Sequence, residues 1–176
     1  MKFLRAMEVF FCGFFGIKTM VKYRYLTDEE LKEFEEEFKH FLIANGLHSE
    51  DWERLNNEDA DKAIEVVGLF SNLILDKVYD NVKFVVHVGK KELKAFKFYD
   101  DRAILIGVDY KGEYDFPGEN IFKFIADNAS DMLIYSTSKL FSKEKRNQEV
   151  HFLVKLGGNM SDGKVFDFLS KIKEKQ

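Results

Sequence analysis

From Leu31 onward, apolar side chains recur every three or four positions: Leu31, Phe34, Phe38, Phe41 and Leu42. That spacing lays them on one helical stripe. Thr27-Asp28-Glu29-Glu30 has the form of a capping box, and Asn45-Gly46 supplies a stop, so a helix is predicted over 28–45. Ser49 is placed to cap a short helix carrying Trp52 and Leu55, with Asn56-Asn57 as the break behind it. A longer helix is predicted over 58–79, with Ala60, Ala63, Ile64, Val67, Phe70, Leu73, Ile74 and Val78 on its apolar positions. A helix apolar on most sides is expected between two layers. Gly68, in its middle, costs about 1 kcal/mol relative to Ala, so a close neighbour is expected there.

At residue 82 the period changes to two. Val82, Phe84, Val86 and Val88 alternate with Lys83, Val85 and His87, and Gly89-Lys90-Lys91 makes a turn. Leu93–Tyr99 and Ala103–Tyr110 continue an antiparallel meander through the tight connection Asp100-Asp101. The loop 112–118 holds the only proline, and a short helix is expected over 119–128, with Ile121, Phe122, Phe124 and Ile125 inward. Met132–Phe141 and Val150–Leu156 read as two more strands, joined as a long hairpin by the polar loop Ser142–Gln148. Gly157-Gly158-Asn159 turns the chain, Ser161 caps, and Val165, Phe166, Leu169 and Ile172 line a last helix ending in lysines. Helices first and strands later indicate α+β. The predicted fold is an N-terminal helical hairpin packed on a mainly antiparallel sheet of about five strands, with a short inserted helix and a C-terminal helix. One domain over 20–176 accounts for all of it.

Composition narrows the class without naming a function. With 45% hydrophobic and 33% charged residues in 176, the chain is too apolar for disorder and long enough to bury a core without metal or disulfides. The lone Cys12 leaves no intramolecular disulfide and is compatible with a reducing compartment. Residues 1–19 carry an apolar run of nine, Val9–Ile17. Such a run spans about 14 Å as a helix against a hydrocarbon core of roughly 30 Å, so no membrane span is expected. Gly16-Ile17-Lys18-Thr19-Met20 makes a poor signal cleavage site, and Met20 offers a second start. The segment is therefore read as a doubtful N-terminal extension, with a packed or membrane-touching helix and a secretion signal as the alternatives.

No motif spells out chemistry. Gly157-Gly158 matches neither a P-loop nor a dinucleotide fingerprint, and Gly-x-Ser-x-Gly is absent. His40, His48, His87 and His151 lack metal-ligand spacing, so neither metal nor cofactor is expected. An enzyme site assembled from remote residues would centre on His87, Asp109, Tyr135 and His151, the two histidines facing each other from neighbouring strands. Charge is the uneven feature. Residues 27–65 carry 14 acidic and 4 basic side chains, a balance of −10, whereas the remainder, with 17 and 23, stands at +6. Lys90, Lys91, Lys94 and Lys97 cluster on one hairpin, and Lys143, Lys145 and Arg146 in a later loop. Either set suits phosphates or an acidic partner, with Phe96 or Tyr99 placed to stack on bases. Glu29, Glu33, Glu36 and Glu37, with Trp52 as an anchor or a lid, suit a basic partner.

Residues 22–42, Lys-Tyr-Arg-Tyr-Leu-Thr-Asp-Glu-Glu-Leu followed by Glu-Glu-Phe-Lys-His-Phe-Leu, resemble the opening of a small uncharacterised bacterial family, a domain of unknown function found mainly in Bacteroidota. Asp51-Trp52-Glu53 and Phe70-Ser71-Asn72-Leu73-Ile74 extend the resemblance to about residues 20–80. It implies a cytoplasmic bacterial protein beginning near Met20, and no activity. The leading expectation is a non-enzymatic protein–protein interaction module. The alternatives are a nucleic-acid- or ribosome-associated factor using the basic hairpin, and an enzyme whose site the sequence does not display. Partner identity and oligomeric state stay open.

Overall fold

The computed structural model describes residues 21–174; the predicted extension over 1–19 lies outside them. Two compact units divide at Lys77/Val78. The fold is α+β: seven α-helices and five strands in one antiparallel sheet among the described residues.

The first unit is helical. Helix α1, Asp28–Glu33, opens on the predicted capping box: the Thr27 hydroxyl accepts from the Glu30 amide at 3.3 Å, and the Glu30 carboxylate accepts from the Thr27 amide at 2.9 Å. The single helix expected over 28–45 is divided at Phe34 (φ −103°, ψ 25°), and α2 follows over Glu35–Ala44. Neither glycine nor proline marks that joint, so the apolar spacing runs through it unaltered. The stop at α2 is a Schellman closure, Leu47 N donating to Leu42 O and Gly46 N to Ile43 O. Helix α3, Ser49–Glu58, takes His48 as its N-cap and runs straight through Asn56-Asn57. The break falls instead at Asp59, whose carboxylate accepts from the Lys62 amide at 3.2 Å and starts α4, Ala60–Asp80.

Phe70 of α4 is fully buried against Phe38 (ring centroids 4.9 Å) and Phe41 (5.4 Å), and Trp52 meets Phe38 edge-on at 5.2 Å. The indole is thus half-buried. A Cβ on Gly68 would sit 3.0 Å from a Val21 methyl, the close neighbour its position predicts. Ser71, also buried, accepts from the Leu26 amide and donates to the Val67 carbonyl.

The second unit carries β1 (Phe84–Val88), β2 (Glu92–Phe98), β3 (Arg102–Tyr110), α5 (Ile121–Asp127), β4 (Met132–Leu140), α6 (Arg146–Lys155), β5 (Asn159–Ser161) and α7 (Lys164–Lys173). The strands run in the order β4-β3-β2-β1-β5. Val86, Leu93, Ala95, Ile106 and Val108 share one face of the sheet and form the core with Ile125 of α5 and Phe166 and Leu169 of α7. On α5 the inward set is narrower than predicted: Ile125 is buried, whereas Phe122 is exposed.

One predicted strand is a helix. Val150–Leu156 lies in α6, and Ser142–Gln148 is a 3-10 turn running into that helix rather than a hairpin loop. Five apolar residues in seven fit either period, and tertiary anchoring decides between them. Arg146, in the first turn, is buried and donates to three carbonyls: Tyr79 O at 2.9 Å, Val82 O at 2.6 Å and Tyr99 O at 3.2 Å. Its guanidinium also lies over the Phe98 ring at 5.8 Å. Asn147 adds a bond to the Asp80 carboxylate at 2.7 Å. The helix ends in a second Schellman closure, Gly158 N to Leu153 O and Gly157 N to Val154 O, with Gly157 at φ +89°, where only glycine sits without strain. The fifth strand comes just after, pairing Asn159–Ser161 with β1.

Arg24 grips the Glu30 carboxylate through both terminal nitrogens, at 2.6 and 2.7 Å, and holds its pKa down at about 2. A carboxylate with a depressed folded pKa stabilises above its unfolded pKa and loses that contribution as pH falls. The stability difference between wild type and Glu30→Gln, read from urea unfolding, is expected to be about 1 kcal/mol at neutral pH for this partly exposed pair. It should shrink between pH 5 and pH 2. Arg146→Ala takes a donor from three carbonyls at once and is expected to lower unfolding free energy by about 3 kcal/mol. Arg146→Lys should recover only part of that loss, since one ammonium cannot span the three carbonyls.

Candidate functional site

Because 150–156 is helical, no strand among the described residues covers the outer side of β4, which is therefore an edge strand. Its nine residues pair with β3 without a bulge, from Arg102↔Leu140 to Tyr110↔Met132. Phe141 N donates to Asp101 O and Lys111 N donates to Asp131 O, so odd-numbered residues of this stretch turn their backbone groups toward β3. The even-numbered ones, Met132, Ile134, Ser136, Ser138 and Leu140, turn theirs outward. Leu133 and Leu140 are exposed, at 54% and 76%. Lys139, the only charged residue of the strand, has its ammonium 2.5 Å from the Glu149 carboxylate of α6.

A polar row adjoins this edge on the sheet face opposite the core. Register aligns His87, Lys94, Gly107 and Tyr135 across four strands. A Cβ on Gly107 would lie 2.2 Å from Tyr135 Cζ, so the absence of a side chain there is what lets the phenol ring lie across the sheet. Lys94 donates to Glu92 at 2.7 Å, which raises the ammonium pKa, and His87 Nε2 is 3.8 Å from the other Glu92 oxygen. Burial, chiefly, pushes the Tyr135 hydroxyl pKa up, with Asp109 adding to it.

Of the four remote residues proposed for an enzyme site, His87, Asp109 and Tyr135 share this face. His151 does not lie on a strand: it belongs to α6, where Nδ1 is 2.9 Å from the Tyr79 hydroxyl. Among the described residues no group of three or more His, Cys, Asp or Glu is placed to hold a metal.

The basic hairpin is not one surface. Lys94 and Lys97 stand three residues apart on β2, and alternation sends them to opposite faces. Lys97 sits over the rings of Phe84, Tyr99 and Phe166 at 5.5–5.8 Å. Those last two rings also line an open recess of about 370 Å³ with Ile104, Ile106, Ser170 and Lys173. Lys91 donates to the carbonyls of Gly112, Glu113 and Tyr114 and so fixes the loop beside it. Lys90 is exposed. In the later cluster Lys143 and Lys145 are exposed, whereas Arg146 is the buried anchor. Glu29, Glu33, Glu36 and Glu37 are all exposed on α1 and α2, with Glu36 held by Lys39 at 2.8 Å.

The β4 edge and Gly107 were missed in sequence because the presumed strand 150–156 would have covered β4. The run Ser136-Thr137-Ser138, polar on both faces of a strand, was the available signal.

Residues 20–174 match a family described as "Family of unknown function (DUF6495)". The chain belongs to that family. The match spans the helices and the whole sheet, well past the 20–80 stretch that carries the resemblance in sequence. No curated protein and no solved structure matches the chain. Family membership thus brings no activity to the polar row or the edge. Among the described residues, no helix is long and apolar enough to cross a membrane.

The Gly107–Tyr135 contact makes a direct prediction. Gly107→Ala should destabilise by about 2 kcal/mol through overpacking. In a Tyr135→Ala background most of that penalty should vanish, giving a coupling of about 1–2 kcal/mol in a double-mutant cycle measured by urea unfolding.

Proposed function

We propose that the protein is a non-enzymatic interaction module that receives a partner strand along the free edge of β4. The observation that carries this reading is the edge itself: nine residues, unbulged, with outward backbone groups unpaired by any described strand. Soluble proteins blunt such edges with bulges, prolines or charge. Here there is no bulge or proline, and the one lysine is drawn onto Glu149. Strand addition supplies affinity through main-chain bonds and specificity through alternate side chains. Exposed Leu133 and Leu140 are the apolar contacts a partner would cover. The polar row beside the edge supplies donors, Tyr135 and Lys94, for its flank. The divided lysines favour this over a phosphate-gripping hairpin, which needs cations on one face. A cytoplasmic bacterial setting belongs to the same reading, supported by the lone cysteine and the family resemblance.

Ser136→Pro is the decisive variant, since it removes an outward amide while leaving the β3 ladder whole. With the full chain immobilised in its host's lysate, a partner should survive high-salt washing on wild type and be lost on Ser136→Pro at unchanged melting temperature. Binding retained by Ser136→Pro, but lost in high salt or on Lys143→Glu/Lys145→Glu, would place recognition on the charged surface instead.

A further inference from the structure

We propose that the strand received at β4 is β4 of a second copy of this chain, antiparallel and centred on Ser136, joining two five-stranded sheets into one. This rests on the edge reading above and adds the partner's identity.

The strand is self-complementary about its midpoint. The strand Met132–Leu140 has Ser136 at its midpoint, and Ser136 is one of the residues whose amide and carbonyl face outward. A two-fold axis at Ser136 pairs Met132 with Leu140 of the second copy, Ile134 with Ser138, and Ser136 with itself. Every outward backbone group then meets another outward group, as the hydrogen-bonded pairs of an antiparallel ladder require. Displacing the centre leaves outward groups unpaired at both ends. Displacing it toward the C-terminus also brings the two Lys139 ammoniums together.

Side chains agree with the same register. On the core side, Leu140, exposed at 76%, covers Met132 of the second copy. On the other face, Leu133, exposed at 54%, lies under the aliphatic stem of Lys139, and Tyr135 meets Thr137. Aromatic and β-branched residues make favourable cross-strand pairs. No charge opposes a like charge, and each Lys139 keeps Glu149 of its own chain at 2.5 Å. The contact is isologous and closed, so it ends at a dimer rather than a filament.

The test is sedimentation and light scattering of the full chain over a concentration series, with zero-length cross-linking at defined positions. Wild type is expected to move from 20.7 kDa to twice that mass as concentration rises, and Ser136→Pro to stay monomeric. In a Cys12→Ser background, Ser136→Cys should form a disulfide dimer under mild oxidation. Paired residues of this kind have Cα atoms about 5.5 Å apart, inside the disulfide range. Ser138→Cys, which faces Ile134, should not cross-link. The cysteine pair reads the register even if the proline variant fails to fold. A dimer that persists in Ser136→Pro, or that cross-links equally through both cysteines, overturns the proposal. A monomer at every concentration, alongside a lysate partner lost on Ser136→Pro, overturns the second copy while leaving strand addition standing. A monomer with no such partner removes both.

Discussion

The guanidinium of Arg146 organises the second unit. Three backbone carbonyls, from the end of α4, from the approach to β1 and from the turn after β2, converge on one planar cation. Each of those carbonyls belongs to a segment where regular structure stops, and that of Tyr79 also accepts from the Val82 amide at 3.1 Å. A guanidinium with five donors in a fixed fork is the side chain that answers that geometry. The segment it anchors is helix α6, and the sheet takes its fifth strand from Asn159–Ser161 beside β1, which leaves β4 an edge among the described residues.

Much of the architecture was legible in local chemistry. Thr27 and Glu30 cap each other as their spacing requires, Asn45-Gly46 closes α2, and alternation from Phe84 to Tyr110 places three strands to within a residue or two. These signals lie between residues close in sequence. Val150–Leu156 was not legible, because its apolar content fits both periods and the deciding bonds come from Tyr79, Val82 and Tyr99. Arg146 itself read as a solvated loop cation beside Lys143 and Lys145. Composition carries no trace of carbonyls that await it. The joint at Phe34 is likewise silent, with no breaker residue to announce it.

The candidate surface inherits the same division. Sequence charge drew attention to Lys90, Lys91, Lys94 and Lys97 as a group, but the period of a strand divides Lys94 from Lys97, and a loop claims Lys91. Only the register shows that His87, Lys94, Gly107 and Tyr135 form a line that ends at the sheet's free side. The polar row and the edge thus meet on β4, with β3 between them and the lysines that looked most suggestive. Lys139 illustrates how a neighbouring helix can undo a safeguard, its charge held by Glu149 rather than left to repel an approaching strand.

Arg146 binds carbonyls that precede it by more than sixty residues. Its bonds to Tyr79 and Val82 span 67 and 64 residues. A chain emerging from the ribosome therefore exposes the end of α4 and the first three strands well before their shared donor has been synthesised. Until residue 146 clears the exit tunnel, water takes the place of its guanidinium at those carbonyls. The three-carbonyl clasp can close only once residue 146 has been made, however early the hairpins form.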